Sequence, residues 1–342
     1  MIISGISSAV GAEIEISSAP WQRLLKDAIR DPVELCRVLQ LPDQYVAAAE
    51  RAAREFRLLV PRGYVARMRP GDPSDPLLLQ VLPLADEMTN APRFVSDPVG
   101  DGQAEIAPGL LHKYYGRVLL VTTGACAIHC RYCFRRHFPY SDAPHSLAAW
   151  EPALKQIAAD PSIEEVILSG GDPLTLVDPW LSRLAQRLAA IPHVRRLRIH
   201  SRLPIVLPER VCPSLFDWLC GTRLTPVVVI HANHPAEIDA SVAAALSRLV
   251  DEGVAVLNQS VLLRRINDHV DTLVDLCRRL VELRVMPYYL HQLDRVSGAA
   301  HFEVAEEDGL KLMSELRRRL PGYAVPRYVR ESPGSLFKEL LE

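Results

Sequence analysis

Residues 117–133 read RVLLVTTGACAIHCRYC, a β-rich apolar run that leads directly into three cysteines. The branched side chains of 117–123 predict a buried strand. Cys126, Cys130 and Cys133 then follow with C-x3-C-x2-C spacing. The stretch therefore predicts a strand whose carboxyl end carries a loop of closely spaced thiols.

Five further β-rich runs follow this strand, at 165–169, 195–200, 225–231, 254–259 and 286–291. After the first interval, consecutive runs start about thirty residues apart, which is the length of one βαβ unit. Amphipathic stretches fill the gaps between them. Regular alternation of this kind predicts an α/β fold with a parallel sheet and right-handed crossovers, either doubly wound or curled into a barrel.

The first hundred residues have a different pattern, with helices joined by proline-rich connections. Asp31, Pro32 and Glu34 predict a capping-box start for a helix that runs to Leu39, and 43–59 predicts another helix. Residues 82–100 contain turn formers without a sustained period, which favours a linker. We therefore divide the chain into a helical domain with linker at 1–100, a β/α unit at 101–320 and a C-terminal segment at 321–342.

The composition is that of an ordinary globular protein. Of 342 residues, 49% are hydrophobic and 23% are charged, which excludes a disordered or fibrous chain. The 39 basic and 41 acidic residues leave no basic excess for binding nucleic acid. No uncharged apolar run approaches the ~18 residues of a membrane span, and Glu13 and Glu15 interrupt any signal-peptide core. A cytoplasmic protein is expected.

Polar residues follow all six predicted strands. Parallel α/β sheets bind ligands at the carboxyl ends of their strands, so these residues should converge on one site. They are Thr122 to Cys126, Gly170-Gly171-Asp172, His200-Ser201-Arg202, His231 with Asn233, Asn258-Gln259, and His291 with Asp294.

The three clustered cysteines allow two interpretations. Structural zinc sites usually have four ligands, and His129 or His137 could supply the fourth. Three thiolates on a 4Fe-4S cluster would instead leave one iron open for a cofactor or substrate. The other four cysteines are scattered and are expected to be small buried hydrophobic residues; they are Cys36, Cys212, Cys220 and Cys277.

The cysteine spacing, followed by Gly170-Gly171-Asp172, resembles the radical S-adenosylmethionine enzymes, whose Gly-Gly-acid motif holds the methionyl amino group. The chain is more specifically similar to the lysine 2,3-aminomutase family from about residue 80 onward. It most resembles the short members that serve β-lysylation of elongation factor P. The stretches that carry this resemblance are CRYCFRRHF, SGGDPL, RLPIVLPERV, NQSVLLRRIND and YYLHQLDRVSGAAHF.

The resemblance implies a partial (β/α)6 radical S-adenosylmethionine barrel at 101–320 behind the helical domain. It also implies three cofactors. Cys126, Cys130 and Cys133 would hold the 4Fe-4S cluster, and Gly170, Gly171, Asp172 and Arg202 would bind S-adenosylmethionine. Lys338, in the segment 321–342, would form a Schiff base with pyridoxal phosphate, with Arg117 nearby. Lys338 is the only lysine after Lys311, although SPGSLFKELLE departs from the glycine-rich loop of the longer members.

The resemblance further implies a substrate. Arg135 matches the arginine that takes the carboxylate of lysine. Asp294 and Glu331 match the two acids that hold its distal ammonium, Glu331 standing where the longer enzymes usually have aspartate. The implied reaction is an amino-group shift that converts L-α-lysine to (R)-β-lysine. The implied partners are an electron donor such as a flavodoxin and a lysyl-tRNA-synthetase-like ligase that attaches β-lysine to elongation factor P.

Other interpretations stay open at this point. The same reaction could serve lysine catabolism or osmolyte synthesis. A glutamate substrate is disfavoured because Asp294 and Glu331 would repel its side chain. A non-catalytic zinc module is the remaining class. No cysteine follows Cys277, so the zinc-linked tetramer of the longer members is not expected, and a homodimer is the assembly considered.

Overall fold

A single ten-stranded sheet organises the chain in the computed structural model, which describes residues 19–140, 146 and 148–342. Glu13 and Glu15, on which part of the localisation prediction depends, lie outside the described residues. The strands lie side by side in chain order, β1 to β10. In the described residues no helix is both long and apolar enough to cross a bilayer.

The helices before the sheet are short. They are α1 Pro20–Lys26, α2 Pro32–Val38, α3 Gln44–Glu55, α4 Arg62–Val65, α5 Pro76–Leu79 and α6 Asp101–Ala104. Asp31 caps α2 as predicted, because its carboxylate accepts from the Val33 amide at 2.9 Å. Glu34 closes no capping box and pairs with Arg62 instead.

Helix α3 ends four residues earlier than the sequence predicts. Phe56 adopts extended backbone, and its ring stacks on His129 with 5.3 Å between centroids. The Phe56 carbonyl also accepts from the Arg131 side chain at 2.7 Å. Contacts with the cysteine loop therefore set this helix end, which the local sequence cannot show.

Seven strands of the sheet are parallel. They are β3 Arg117–Thr123, β4 Glu165–Gly170, β5 Arg196–His200, β6 Thr225–His231, β7 Ala255–Val261, β8 Met286–His291 and β9 Arg327–Arg330. Antiparallel strands extend the sheet at both ends: β1 Glu105–Ala107, β2 Leu110–Tyr114 and β10 Glu339–Leu340. The six predicted strands correspond to β3 through β8. Strands β1, β2, β9 and β10 were not predicted from the sequence.

Helices connect the parallel strands. They are α7 Glu151–Ala159, α8 Asp178–Ala189, α9 Leu203–Val206 with α10 Pro213–Leu219, α11 Ala240–Asp251, α12 Val270–Glu282 and α13 Glu306–Arg319. Six β/α units are thus followed by β9. The first and last strands do not pair within the described residues, so the sheet stays open. The prediction of an α/β partial (β/α)6 barrel is confirmed.

The two faces of the sheet differ in burial. Fully buried residues such as Leu197 and Ile199 share one apolar cluster with the surrounding helices, and that cluster also includes Leu35 and Leu77 from the N-terminal part. Alternate positions, such as Arg198 and His200 on β5, are only partly buried. These alternate side chains face the inside of the open barrel. The division of the chain into three domains stays a prediction.

Candidate active site

The cysteine loop after β3 is fixed by the N-terminal part of the chain. The His129 amide donates to the Leu59 carbonyl, and the Arg131 amide donates to the Gln80 carbonyl, both at 2.9 Å. The Arg131 side chain is fully buried and donates to both carboxylate oxygens of Glu87. Residues of the predicted helical domain and of its linker therefore hold the loop that carries the thiols.

The three thiols occupy one buried environment. Burial raises the pKa of Cys126 well above its ordinary value, and the nearby charge of Cys133 raises it further. Burial, followed by the charge of Cys130, raises the pKa of Cys133 to about 11. Since Cys133 acts on Cys126 and Cys130 acts on both of them, the predicted ligands lie close together. Uncompensated thiolates would be unfavourable here, and a cationic iron centre would stabilise them.

Three thiolates suit a cluster and a single ion to different degrees. A structural zinc site usually needs four ligands. A 4Fe-4S cluster accepts each thiolate at a different iron and so tolerates a wider spacing. The three cysteines fit such a cluster better than a zinc site.

Gly170 and Gly171 let the end of β4 pack against the start of the cysteine loop. Gly170 has φ of +117°. A Cβ on Gly171 would lie 2.3 Å from the Ala125 carbonyl oxygen. The amides of Gly171 and Asp172 donate to the carbonyls of Thr123 and Ala125, both at 2.7 Å. No side chain fits between these two backbones.

Replacing Gly171 with alanine is expected to displace the cysteine loop, because the obstacle is backbone rather than a flexible side chain. We expect a loss of stability of ~1–3 kcal/mol, the usual cost of overpacking, together with reduced iron binding. Gly63→Ala is the matched control, since a Cβ there meets nothing within 4 Å. Thermal unfolding and iron content measure both effects. Normal iron content in Gly171→Ala would contradict the proposed packing role.

Asp172 joins the ends of β4 and β5. Its carboxylate accepts from Ser201 Oγ at 2.7 Å and from the amides of Arg202, Leu203 and Leu174 at 2.7, 3.2 and 3.0 Å. Burial raises its pKa to about 6 despite these donors. All four donors belong to the chain itself, so these contacts do not test the binding of S-adenosylmethionine by Asp172. That role stays a prediction.

A row of alternating charges lies near β2, β9 and the cysteine loop. Glu331 accepts from Lys338 and, at 2.9 Å, from Lys113. Lys113 also lies 2.6 Å from Asp101, which accepts from Arg135 Nε at 2.7 Å. We call these five residues the charged row. It brings together three residues that the resemblance implied, Arg135, Glu331 and Lys338.

Lys113 and Asp101 were not among the predicted site residues. Asp101 lies in the short helix α6, and Lys113 lies on the unpredicted strand β2. Neither belongs to a motif or follows a predicted strand. A strand prediction for LLHKY would have been the one useful signal, since it would have set Lys113 next to β3.

The charges of the row keep the Glu331 carboxylate ionised. Although burial opposes ionisation, the ammonium groups of Lys338 and Lys113 hold the pKa of Glu331 well below its usual range. Asp294 responds differently. Burial, followed by the charge of Glu331, raises its pKa to about 7. Asp294 is therefore near the row and is neutralised more easily than Glu331.

The remaining predicted residue, Arg117, begins β3. Its guanidinium stacks over Tyr114 at 4.7 Å from the ring centroid. The inner positions of β5 carry two unpartnered polar atoms, Arg198 Nε and His200 Nε2, both buried without a hydrogen-bond partner among the described residues. These atoms leave donors or acceptors available inside the barrel.

Comparison with known proteins agrees with this geometry. Residues 115–194 match a family described as a 4Fe-4S single cluster domain. The L-lysine 2,3-aminomutase of Escherichia coli (strain K12) is 46% identical over 327 residues, which cover 95% of each chain. The chain belongs to the lysine 2,3-aminomutase family.

Other relatives extend the comparison. The L-lysine 2,3-aminomutase of Haemophilus influenzae is 43% identical over 94% of this chain and 95% of its own. That of Clostridium subterminale is 36% identical over 92% of this chain and 76% of its own. A radical SAM methyltransferase from Sphaerobacter thermophilus is a distant structural neighbour, with a TM-score of 0.46 and 17% identity over 64% of this chain and 68% of that one.

Family membership decides between an enzyme and a non-catalytic zinc module. The chain is an isomerase, and a 4Fe-4S cluster and S-adenosylmethionine are its cofactors. The alternative of a non-catalytic zinc module is wrong. The arrangement of the site bears on the substrate, the third cofactor and the roles of individual residues.

Proposed function

We propose that this enzyme moves the α-amino group of L-lysine to carbon 3, giving β-lysine, with pyridoxal phosphate as a further cofactor. One observation carries the choice of substrate. The ammonium of Lys338 contacts Glu331, with Asp294 nearby. The site thus holds a primary alkylammonium group, which is the group at the distal end of lysine. With Lys338 engaged in holding pyridoxal phosphate, the distal ammonium of the substrate would take this place beside Glu331.

The other end of the charged row suits the carboxylate of the same substrate. Arg135 is buried, and its Nε donates to Asp101 while Nη1 lies 3.2 Å from Ser169 Oγ. Burial opposes its charge, but Asp101 keeps the pKa of Arg135 above its ordinary value, so it stays cationic. A cation at one end and carboxylates at the other complement a zwitterionic diamino acid.

The residues present also fit the cofactors. When bound, the reduced cluster supplies the electron that cleaves S-adenosylmethionine, and pyridoxal phosphate supplies an electron sink at the substrate nitrogen. Cys126, Cys130 and Cys133 would hold the cluster. Gly170, Gly171, Asp172 and Arg202 would contact S-adenosylmethionine. The Nε of Arg202 is buried without a partner in the described residues, which leaves a donor for that cofactor.

Pyridoxal phosphate would occupy the inside of the barrel beside Lys338. The unpartnered Nε of Arg198 and Nε2 of His200 support this position. The charge of Lys338 is one of the causes, after burial and Arg198, that lower the pKa of His200, so the two residues are neighbours. Arg117 would lie near the cofactor. The protein's own part is to orient both ends of lysine and to keep water from the reacting atoms.

The substrate proposal predicts discrimination between lysine and norleucine, which differ in the distal ammonium. We expect lysine to bind more tightly by about 1.5–3 kcal/mol, the scale of a hydrogen bond to a charged group. Asp294→Asn should reduce this difference, and glutamate should not bind. Calorimetric titration of the enzyme loaded with pyridoxal phosphate measures each affinity. Equal affinities for lysine and norleucine would contradict the proposal.

The same titrations should depend on pH. Because the pKa of Asp294 is raised to about 7, its carboxylate becomes populated as the pH rises through that value. The lysine preference over norleucine should therefore increase between pH 6 and 8, and the increase should disappear in Asp294→Asn. Norleucine corrects for ionisation of the α-amino group, which both ligands share. A preference that is constant with pH in the native enzyme would exclude this role for Asp294.

We further propose that the product is (R)-β-lysine and that a lysyl-tRNA-synthetase-like ligase attaches it to elongation factor P. The match to 95% of the Escherichia coli relative, against 76% of the Clostridium relative, supports a place among the short members. A flavodoxin-like donor, a homodimer and a cytoplasmic location belong to the same proposal. Chiral chromatography tests the configuration. Elongation factor P of unchanged mass in cells lacking this enzyme would contradict the partner assignment.

A further inference from the structure

One buried guanidinium touches the cysteine loop. Arg202 follows β5, is 6% exposed, and its Nη1 donates to Cys130 Sγ at 2.7 Å. Among the described residues, no other arginine side chain donates a hydrogen bond to Cys126, Cys130 or Cys133. A fixed positive charge therefore lies against one sulfur of the cluster site.

Three groups hold Arg202 in this position. Its Nη2 donates to Glu237 Oε2 at 2.9 Å, to Gln80 Oε1 at 2.6 Å and to the Tyr64 hydroxyl at 3.3 Å. The guanidinium also lies over the rings of Tyr64 and Tyr132, 5.7 Å from each centroid. The position is thus determined from several directions, and two of the holding residues come from the N-terminal part of the chain.

Glu237 is the charge that balances this arginine. It is completely buried. Its Oε1 accepts from the amides of Asn233 and His234 at 2.8 and 3.0 Å, while its Oε2 faces Arg202. Among the described residues, Glu237 forms no hydrogen bond to the three clustered cysteines, and it influences Cys130 only across Arg202. The pair therefore presents its positive end to the sulfur.

Such an arrangement acts on the electron affinity of a cluster. A reduced 4Fe-4S cluster carries one more negative charge than the oxidised form. A hydrogen bond and a positive charge at a ligating sulfur stabilise that added charge and raise the reduction potential. Burial strengthens the effect, because little water screens it.

We propose that Arg202 raises the reduction potential of the cluster through its hydrogen bond to Cys130, and that Glu237 limits this rise. Arg202 would act on the cluster through the ligand Cys130, and it is therefore a positioning residue. The inference rests on the proposed assignment of Cys130 as a ligand. It goes beyond the proposed function, since it concerns how readily the enzyme accepts its electron rather than which substrate it converts.

Redox titration followed by electron paramagnetic resonance tests this inference. The native enzyme and variants are loaded with cluster anaerobically and titrated without S-adenosylmethionine. Arg202→Gln should shift the potential to more negative values. Glu237→Gln should shift it to more positive values, since Arg202 loses its counter-charge while the amide oxygen can still accept from it. Shifts of opposite sign distinguish tuning from a general disturbance of the fold.

Arg210→Gln is the matched control. Arg210 is also a fully buried arginine, but it donates to Asp178 and to the Leu174 carbonyl. Its removal should leave the potential of the loaded cluster unchanged. An unchanged potential in Arg202→Gln, or shifts of the same sign in both variants, would overturn the inference.

Two further outcomes are informative. If Arg202→Gln fails to load a cluster, the sign of the Glu237→Gln shift decides alone, and a zero or negative shift overturns the inference. The ligand assignment is tested separately by iron content in Cys130→Ala. A Cys130→Ala protein that retains its full cluster would reject the assignment itself, whereas an unchanged potential with Cys130 confirmed as ligand rejects only the tuning.

Discussion

Replacing Cys130 with alanine is expected to leave the enzyme without its 4Fe-4S cluster and unable to cleave S-adenosylmethionine. Three thiolates are the whole ligand set that the loop offers, and one iron must stay open for the cofactor. Removal of any one ligand therefore leaves the cluster with only two. Iron and sulfide content, together with formation of 5'-deoxyadenosine under reducing conditions, measure the loss.

Cys277→Ala is the control for this experiment. Cys277 is a buried thiol in α12 that packs in an apolar cluster with Leu273 and Met313. Its replacement should cost stability of about 1 kcal/mol, as for an ordinary core substitution, and should not affect iron. Full turnover by the Cys130→Ala enzyme would refute the ligand assignment.

Replacing Lys338 with alanine should lower lysine turnover at least about a hundredfold, as for the loss of a positioned amine that forms the covalent link and exchanges protons. Borohydride should fix pyridoxal phosphate on the C-terminal peptide of the native enzyme and not of this variant. Peptide mapping by mass spectrometry measures the attachment. Lys311→Ala is the matched control, since Lys311 is an exposed lysine paired with Asp308.

The structure adds a reason to choose Lys338 over its neighbour Lys113. Lys113 donates to the Val99 carbonyl at 2.8 Å and contacts Asp101 and Glu331 at 2.6 and 2.9 Å. Two hydrogen bonds and a close ion pair thus hold its ammonium group. Within the part of the chain that the structure describes, Lys338 donates only to Glu331, so it can leave this contact more easily. Reduced cofactor on Lys113 or Lys155 would show that the C-terminal assignment is wrong.

Much of the fold could be predicted because its signals are local. The β-rich runs of β3 to β8 and the helices between them recur at the length of one βαβ unit, and the cysteine spacing lies within eight residues. The four strands that were not predicted are short, and they form only because they pair with neighbouring strands. Glu339–Leu340, for example, has two residues and forms by pairing with β9. No sequence period marks such an element.

The site was less predictable because it depends on contacts between distant segments. Lys113 and Glu331 are 218 residues apart in the chain, and Arg202 and Gln80 are 122 apart. Residue type indicated that Asp172 is important, but not that its carboxylate would be used by four donors from the chain. The charged row likewise follows from the position of β2, which the sequence did not reveal.

We infer that this enzyme moves the α-nitrogen of lysine to the neighbouring carbon. L-Lysine labelled with nitrogen-15 at the α-amino group tests it most directly, in an anaerobic incubation with the loaded enzyme, S-adenosylmethionine, pyridoxal phosphate and a reductant. Nuclear magnetic resonance then locates the label. We expect β-lysine with the label bonded to carbon 3. Label released as ammonia, or lysine recovered with its label still on carbon 2 while S-adenosylmethionine is cleaved, would contradict it.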